Sequence, residues 1–199
     1  MYIGYQLSYD AERVLQVSPR ECMQIQEEGL YVGMIENDAP QDLYLGAGIS
    51  DELFLRTKVP MTKEEVRHLS VAKLQLKKNA ICYDIGCGSG SVAVEMAMQE
   101  PSISVYAMDV VEEAVSLTTK NAKRFGLENI HVLQAMAPEE LETLPVASHA
   151  FVGGSRGQMK AILAALYQKN ASMRVVVNAI SLETVGELME CLKQYAVTD

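Results

Sequence analysis

Seven consecutive residues, Asp84-Ile85-Gly86-Cys87-Gly88-Ser89-Gly90, hold the densest chemical information in the chain. Glycines at 86, 88 and 90 permit a tight turn and let a ligand lie directly on the backbone. Position 91 is Ser, so the G-x-G-x-x-G spacing that seats a dinucleotide pyrophosphate is not met. Asp84, two residues ahead of the first glycine, repels phosphate and suits an ammonium or sulfonium. Nineteen residues beyond Gly90, the apolar run Val105-Tyr106-Ala107-Met108 ends in Asp109. A carboxylate there can accept hydrogen bonds from both hydroxyls of a ribose. Loop, preceding acid and second acid describe a nucleoside carrying positive charge, and S-adenosylmethionine is the candidate. Nicotinamide binding is the weaker alternative. Plainer roles exist for each piece: the loop as a simple turn, and Asp109 as the cap of a helix beginning near Glu112.

These residues need a scaffold, and the surrounding pattern supplies one. Strand candidates are residues 80–85, 103–108, 130–134, 149–153 and 173–179. Helix candidates at 91–99, 112–125, 139–144 and 158–169 lie between them, with a last one at 182–195. A further helix toward Leu76 opens on Thr62-Lys63-Glu64-Glu65, a capping-box sequence. Mostly apolar strands, each followed by a helix, predict an α/β fold: a doubly wound, mostly parallel sheet covered on both faces. Ligands of such sheets sit at the carboxyl ends of the strands. The third strand leads into Gln134-Ala135-Met136-Ala137-Pro138, where Ala137 can offer a small apolar surface to an adenine ring.

Composition narrows the function classes. The 199 residues carry a net charge of -9, which argues against a protein built to grip a phosphate backbone. No apolar stretch reaches membrane-spanning length. The four cysteines, at 22, 82, 87 and 191, fit neither metal knuckles nor a disulfide frame, which points to reduced thiols in a cytoplasm. His68, His131 and His149 are scattered, so no metal site and no catalytic base is assigned. Residues 1–48 hold eight acids and two bases, a net -6 of the chain's -9. Within them, Ser18-Pro19-Arg20-Glu21 opens a helix, residues 30–35 form a strand, and 36–48 read as a linker. Two parts are therefore expected, 1–45 and 46–199.

Several runs carry a resemblance: Gly48 to Phe54, Lys58-Val59-Pro60-Met61-Thr62-Lys63-Glu64-Glu65-Val66-Arg67, Asp84 to Gly90, Ala137-Pro138-Glu139 and Val152-Gly153-Gly154-Ser155. With these, the chain resembles the decarboxylating precorrin C15-methyltransferases of cobalamin biosynthesis, from about residue 46 onward. The resemblance implies a Rossmann-like class I methyltransferase fold using S-adenosylmethionine, with Thr62, Gly86 to Gly90, Asp109 and Ala137 on the methyl donor. It implies an anionic tetrapyrrole substrate approaching Gly153, Gly154 and Ser155. The family often has another glycine where this chain has Arg156. The basic residues Arg56, Lys58, Lys63, Arg67 and Arg156 cluster by sequence near these segments, and Lys63, Arg67 and Arg156 are expected to orient substrate carboxylates. Residues 1–45 resemble the end of a C5-methyltransferase module fused ahead of the C15 enzyme. The family pattern continues with two further strands and a homotetrameric assembly. Two rivals stand beside this reading: another small-molecule, protein or RNA methyltransferase of the same fold, and a non-catalytic binding or assembly module.

Overall fold

A computed structural model describes residues 1–36, 48–195 and 197. The chain divides into two compact units, Met1–Leu43 and Tyr44–Asp199.

The first unit is a three-stranded antiparallel sheet. Strands β1 (Tyr2–Tyr5), β2 (Arg13–Gln16) and β3 (Tyr31–Met34) lie in the order β2-β1-β3. The strand expected at 30–35 is β3; its two partners add to that expectation. Between β2 and β3 sits α1 (Pro19–Cys22), opened by the expected capping box. Ser18 Oγ accepts the Glu21 amide, and the Glu21 carboxylate accepts the Ser18 amide at 2.7 Å. The linker expected at 36–48 falls, from 37 to 47, outside the described residues.

The second unit holds a five-stranded, all-parallel sheet. Its strands are β4 (Ile81–Ile85), β5 (Ser104–Asp109), β6 (Ile130–Gln134), β7 (His149–Val152) and β8 (Arg174–Val177), ordered β6-β5-β4-β7-β8. Helices α2 (Glu64–Leu74), α3 (Ser91–Met98), α4 (Glu112–Arg124), α5 (Met159–Lys169) and α6 (Leu182–Leu192) cover it. The doubly wound α/β expectation is met. Among the described residues, no helix is long and apolar enough to cross a membrane.

Strand periodicity explains the two layers. Along β4, Cys82 packs with Val71, Leu74, Ala93 and Met96, while Tyr83 and Ile85 turn to Met159, Ile162 and Leu166 on the other face. A large apolar side chain buried this completely contributes about 1.5–3 kcal/mol. The order reverses at β4, which has β5 on one side and β7 on the other. A crevice opens at such a switch point, at the carboxyl ends of the strands.

Two local expectations are corrected. The cap of α2 is Lys63, without a side-chain bond, and not Thr62; Thr62 instead offers its carbonyl oxygen to Arg67 at 2.6 Å. The segment expected as a helix at 139–144 is a single 3₁₀ turn, Glu139–Glu142, too short to continue after Pro138.

Candidate functional site

The loop after β4 is fixed by contacts on three sides. Gly86 and Cys87 both donate their amides to the Met108 carbonyl, at 2.9 and 3.0 Å. Gly88 donates to Asp109 Oδ2 at 3.1 Å, Ser89 to the Pro60 carbonyl at 3.2 Å, and Gly90 to the Cys87 carbonyl at 2.8 Å. Every amide from 86 to 90 is therefore already spent inside the protein. A phosphate-binding loop needs such amides free for the ligand. Of the five carbonyl oxygens in this loop, only that of Gly86 accepts no hydrogen bond among the described residues, and such an oxygen suits a cation.

Glycine is required here by both conformation and space. Gly86 has φ +71, and a Cβ on it would stand 2.8 Å from the Gly154 carbonyl oxygen. Gly88 has φ +55, and its Cβ would meet the Pro60 carbonyl oxygen at 2.6 Å. The loop is thus wedged between the segment before α2 and the segment after β7. From behind, α4 holds it: Thr118 Oγ1 donates to the Gly88 carbonyl at 3.1 Å, and Asn121 Nδ2 to the Ser89 carbonyl at 2.8 Å.

Around this loop lies a cavity of about 500 Å3, within the range of small-ligand sites. Its walls bring together Thr62, Gly86, Cys87, Gly88, Asp109, Ala137, Gly153, Gly154, Ser155 and Arg156, drawn from five separate segments. Asp109 ends β5, and beyond Gly88 its Oδ1 accepts the Val111 amide at 3.0 Å. The plain capping role and the ligand-facing position coexist in one carboxylate. Met108, Val110, Ala135, Met136 and Ile162 make the adjoining wall apolar.

Five expected site residues lie elsewhere. Asp84 is fully buried beneath the loop rather than on the wall, and neither of its oxygens has a hydrogen-bond partner among the described residues. Burial raises its pKa to about 7; the nearby Ala93 backbone amide, outside hydrogen-bond geometry, offsets part of that, and the Asp109 charge adds to it. Ser89 is buried, and Gly90 caps α3, packed so tightly on Thr118 that a Cβ would stand 2.5 Å from its methyl group. Lys63 does not line the cavity and pairs with Asp51 at 3.3 Å.

Arg67 is the clear correction. The expected substrate-binding guanidinium is 0% exposed. It donates to Glu95 Oε1 at 2.6 Å, to Asp51 Oδ1 at 2.9 Å, to the Thr62 carbonyl at 2.6 Å and to the Ile49 carbonyl, and it stacks over the Phe54 ring. With its donors spent and no solvent access, it cannot reach a substrate. It braces the segments leading to α2, one of which forms a wall of the cavity.

Lys58, a member of the expected basic cluster, lines the cavity, which also contains residues that the sequence pattern did not single out for the site, chiefly Val59, Pro60, Glu113 and Gln158. Pro60 is the least expected, because its role is a backbone carbonyl and leaves no side-chain signature. Cys87 lines the site, but burial first, then the Asp84 charge, pushes its thiol far above the ordinary range. It is no nucleophile at neutral pH. His149 lies at the opposite end of β7 from the cavity; burial lowers its pKa, and its ring bonds Ser148 Oγ at 2.8 Å.

A family model described as the precorrin methyltransferase domain matches residues 52–198. The chain belongs to the precorrin methyltransferase family. Among relatives, it is 42% identical to a probable cobalt-precorrin-6B C(15)-methyltransferase (decarboxylating) of Pyrobaculum calidifontis, covering 75% of this chain and 78% of that one. Two solved structures share the fold of this family member. The precorrin-6y C5,15-methyltransferase of Geobacter metallireducens superposes with a TM-score of 0.71 at 32% identity, over 74% of this chain and 79% of that one. The precorrin 8w decarboxylase of Methanobacterium thermoautotrophicum gives 0.69 at 39% identity, over 73% and 80%. The sheet and its switch-point cavity are accordingly those of a Rossmann-like class I methyltransferase.

Proposed function

We propose that this chain methylates C15 of a precorrin or cobalt-precorrin from S-adenosylmethionine, with loss of an acetate carboxyl as carbon dioxide. One observation carries the reading: a glycine loop with all its amides internally spent, beside the Asp109 carboxylate, in a cavity at the switch point of a precorrin-methyltransferase fold.

The residues present fit the donor. Its methionine part carries an ammonium, which suits the Gly86 carbonyl oxygen, with the buried Asp84 beneath the loop favouring positive charge at longer range. Each Asp109 oxygen has a lone pair left for a ribose hydroxyl after serving one amide. The apolar wall of Met108, Val110 and Ala137 suits a purine ring. We assign Thr62, Gly86, Cys87, Gly88, Asp109 and Ala137 to the donor, with Asp84, Ser89 and Gly90 supporting the loop from beneath. Gly153, Gly154, Ser155 and Arg156 face the substrate. Residues 46–199 form the catalytic unit, and 1–45 belong to a different module.

When bound, S-adenosylmethionine supplies a methyl group on a sulfonium that departs as a thioether. The chain's own work is positioning and exclusion of water. The Gly86 and Gly154 backbones touch, so the donor loop and the substrate-side turn are locked in register. Holding two reactants at fixed separation removes much of the entropic barrier to a bimolecular transfer. The apolar wall keeps water from competing for the methyl group. Among the described residues lining the cavity, no side chain has the thiolate or imidazole character of a covalent catalyst, and transfer to an electron-rich carbon needs none.

Incubation of the chain with S-adenosylmethionine and a cobalt-precorrin-6B, read by mass spectrometry, tests the proposal. One methyl gained and one carbon dioxide lost per turnover is the expected result. Donor turnover without both changes overturns it.

A further inference from the structure

The cavity sorts its charges onto different walls. Asp109 and Glu113 stand at the end of β5 and the first turn of α4. The cations that line it are Lys58, ahead of α2, and Arg156, after β7. Both are exposed and neither enters a salt bridge among the described residues. Each sits two residues from a point where its segment is pinned to the glycine loop. Pro60 receives the Ser89 amide and abuts Gly88; Gly154 abuts Gly86. The two cations therefore flank the donor loop from opposite sides on rigid supports. Arg156 also holds φ +50, followed by Gly157 at +77, a left-handed pair that a non-glycine residue enters only at a cost.

We propose that Lys58, with Arg156, forms a two-point clamp for carboxylates of a tetrapyrrole, and that the carboxyl lost as carbon dioxide is one the clamp does not hold. The inference rests on the function proposed above. An ion-paired carboxylate is stabilised in its charged form and resists losing carbon dioxide, whereas an unpaired one against apolar groups is destabilised toward that loss. Ala135, Met136 and Ile162 provide that cation-free wall. In the step itself, the carbon–carbon bond to this carboxyl breaks and carbon dioxide leaves. The bonding pair enters the conjugated ring, where it supplies the electrons for the new bond to the methyl carbon. No oxidant, reductant or metal is needed to balance it. The clamp thus assigns anchor and leaving roles to chemically alike carboxylates by position alone.

The test uses the full chain saturated with S-adenosylhomocysteine, with uroporphyrin, an octacarboxylate tetrapyrrole, titrated by fluorescence. K58Q and R156Q are each expected to weaken uroporphyrin about tenfold, the loss of one charge-assisted hydrogen bond. S-adenosylhomocysteine affinity stays within twofold. K63Q, whose ammonium pairs with Asp51 outside the cavity, stays within twofold for both ligands. In turnover, K58Q and R156Q raise the KM for the precorrin while retaining one methyl per carbon dioxide. M136K, which puts a cation on the apolar wall, lowers carbon dioxide release more than it weakens uroporphyrin. Unchanged uroporphyrin affinity in both K58Q and R156Q overturns the clamp, as does an equal loss in K63Q. Undiminished carbon dioxide release by M136K overturns the assignment of the leaving carboxyl. A wild-type chain that binds uroporphyrin through Lys58 and Arg156 but does not methylate a precorrin would sink the reaction and leave the clamp standing.

Discussion

The Nε of Arg67 donates to Glu95 Oε1 at 2.6 Å, and neither side chain reaches solvent. This pair joins α2 to α3 beneath the cavity, and the remaining Arg67 donors fix Asp51, Ile49 and Thr62. Removing one partner leaves the other charge buried and uncompensated. Arg67→Ala is therefore expected to cost about 3–5 kcal/mol of unfolding free energy, measured by urea denaturation. Replacing the pair together by Arg67→Met and Glu95→Leu costs much less, because no stranded charge remains. Equal losses in the single and double variants would show that packing, not charge, sets the effect.

Much of this was written in the sequence, and the exceptions have physical causes. The five parallel strands appear within about two residues of the positions that their apolar runs indicate. Strands β1 and β2 escape because β1 buries two adjacent residues, Ile3 and Gly4, and β2 buries none, so neither has an alternation to read. Arg67 misleads because basic residues near a carboxylate substrate invite a surface role. Yet Arg67, Ser70, Val71 and Leu74 are the buried residues of α2, at the i, i+3, i+4, i+7 spacing of a core-facing stripe. Glu95 gives the matching signal, a lone acid inside the otherwise uncharged Ser91–Met98 helix. Thr118 and Asn121 likewise fall on the buried stripe of α4 with Ala114, Leu117 and Ala122. What no pattern could disclose is Pro60, whose contribution is a main-chain oxygen 28 residues before the glycine it abuts.

Two acids give the stability of this chain opposite pH dependences. Burial works against the charge of Asp51, but its hydrogen bonds to Arg67 and Lys63 outweigh this and hold its carboxyl below the ordinary range. Its contribution is present above the unfolded pKa and is lost as pH falls through the folded value. Asp84 is the reverse: its pKa is raised to about 7, so ionising it costs stability as pH rises from about 4 to 7. Asp84→Asn removes that cost and is expected to gain stability over wild type on going from pH 5 to pH 8, by up to about 3 kcal/mol. Urea midpoints at the two pH values check it; a difference independent of pH would mean that Asp84 ionises freely.

Gly88 and Gly154 both line the cavity, and only one of them is sterically indispensable. A Cβ at 88 would lie 2.6 Å from a backbone oxygen at a left-handed φ, and backbone cannot step aside as a side-chain tip does. Gly88→Ala is expected to lose S-adenosylhomocysteine binding by calorimetry and about 2–3 kcal/mol of stability. A Cβ at 154 meets nothing within 4 Å. Gly154→Ala should keep stability within about 0.5 kcal/mol and donor affinity within twofold, while raising the KM of the larger substrate. Equal destabilisation of the two variants would contradict the described loop contacts.

Asp109 serves the protein and the ligand through the same two oxygens, so simple loss of binding in a variant would not separate the roles. The separation comes from changing the ligand as well. Wild type is expected to bind S-adenosylhomocysteine about thirtyfold more tightly than its 2′-deoxy analogue, since a hydrogen bond to a charged group is worth about 1.5–3 kcal/mol. Asp109→Asn loses the charge and turns a donor toward the Gly88 or Val111 amide, so both ligands bind more weakly. If Asp109 also holds the ribose, the discrimination between the two ligands collapses to a few-fold. If it only positions the loop, both affinities fall in parallel and the thirtyfold ratio survives. Calorimetry on two proteins and two ligands decides the matter, because loop damage alone cannot mimic the loss of a preference for one hydroxyl.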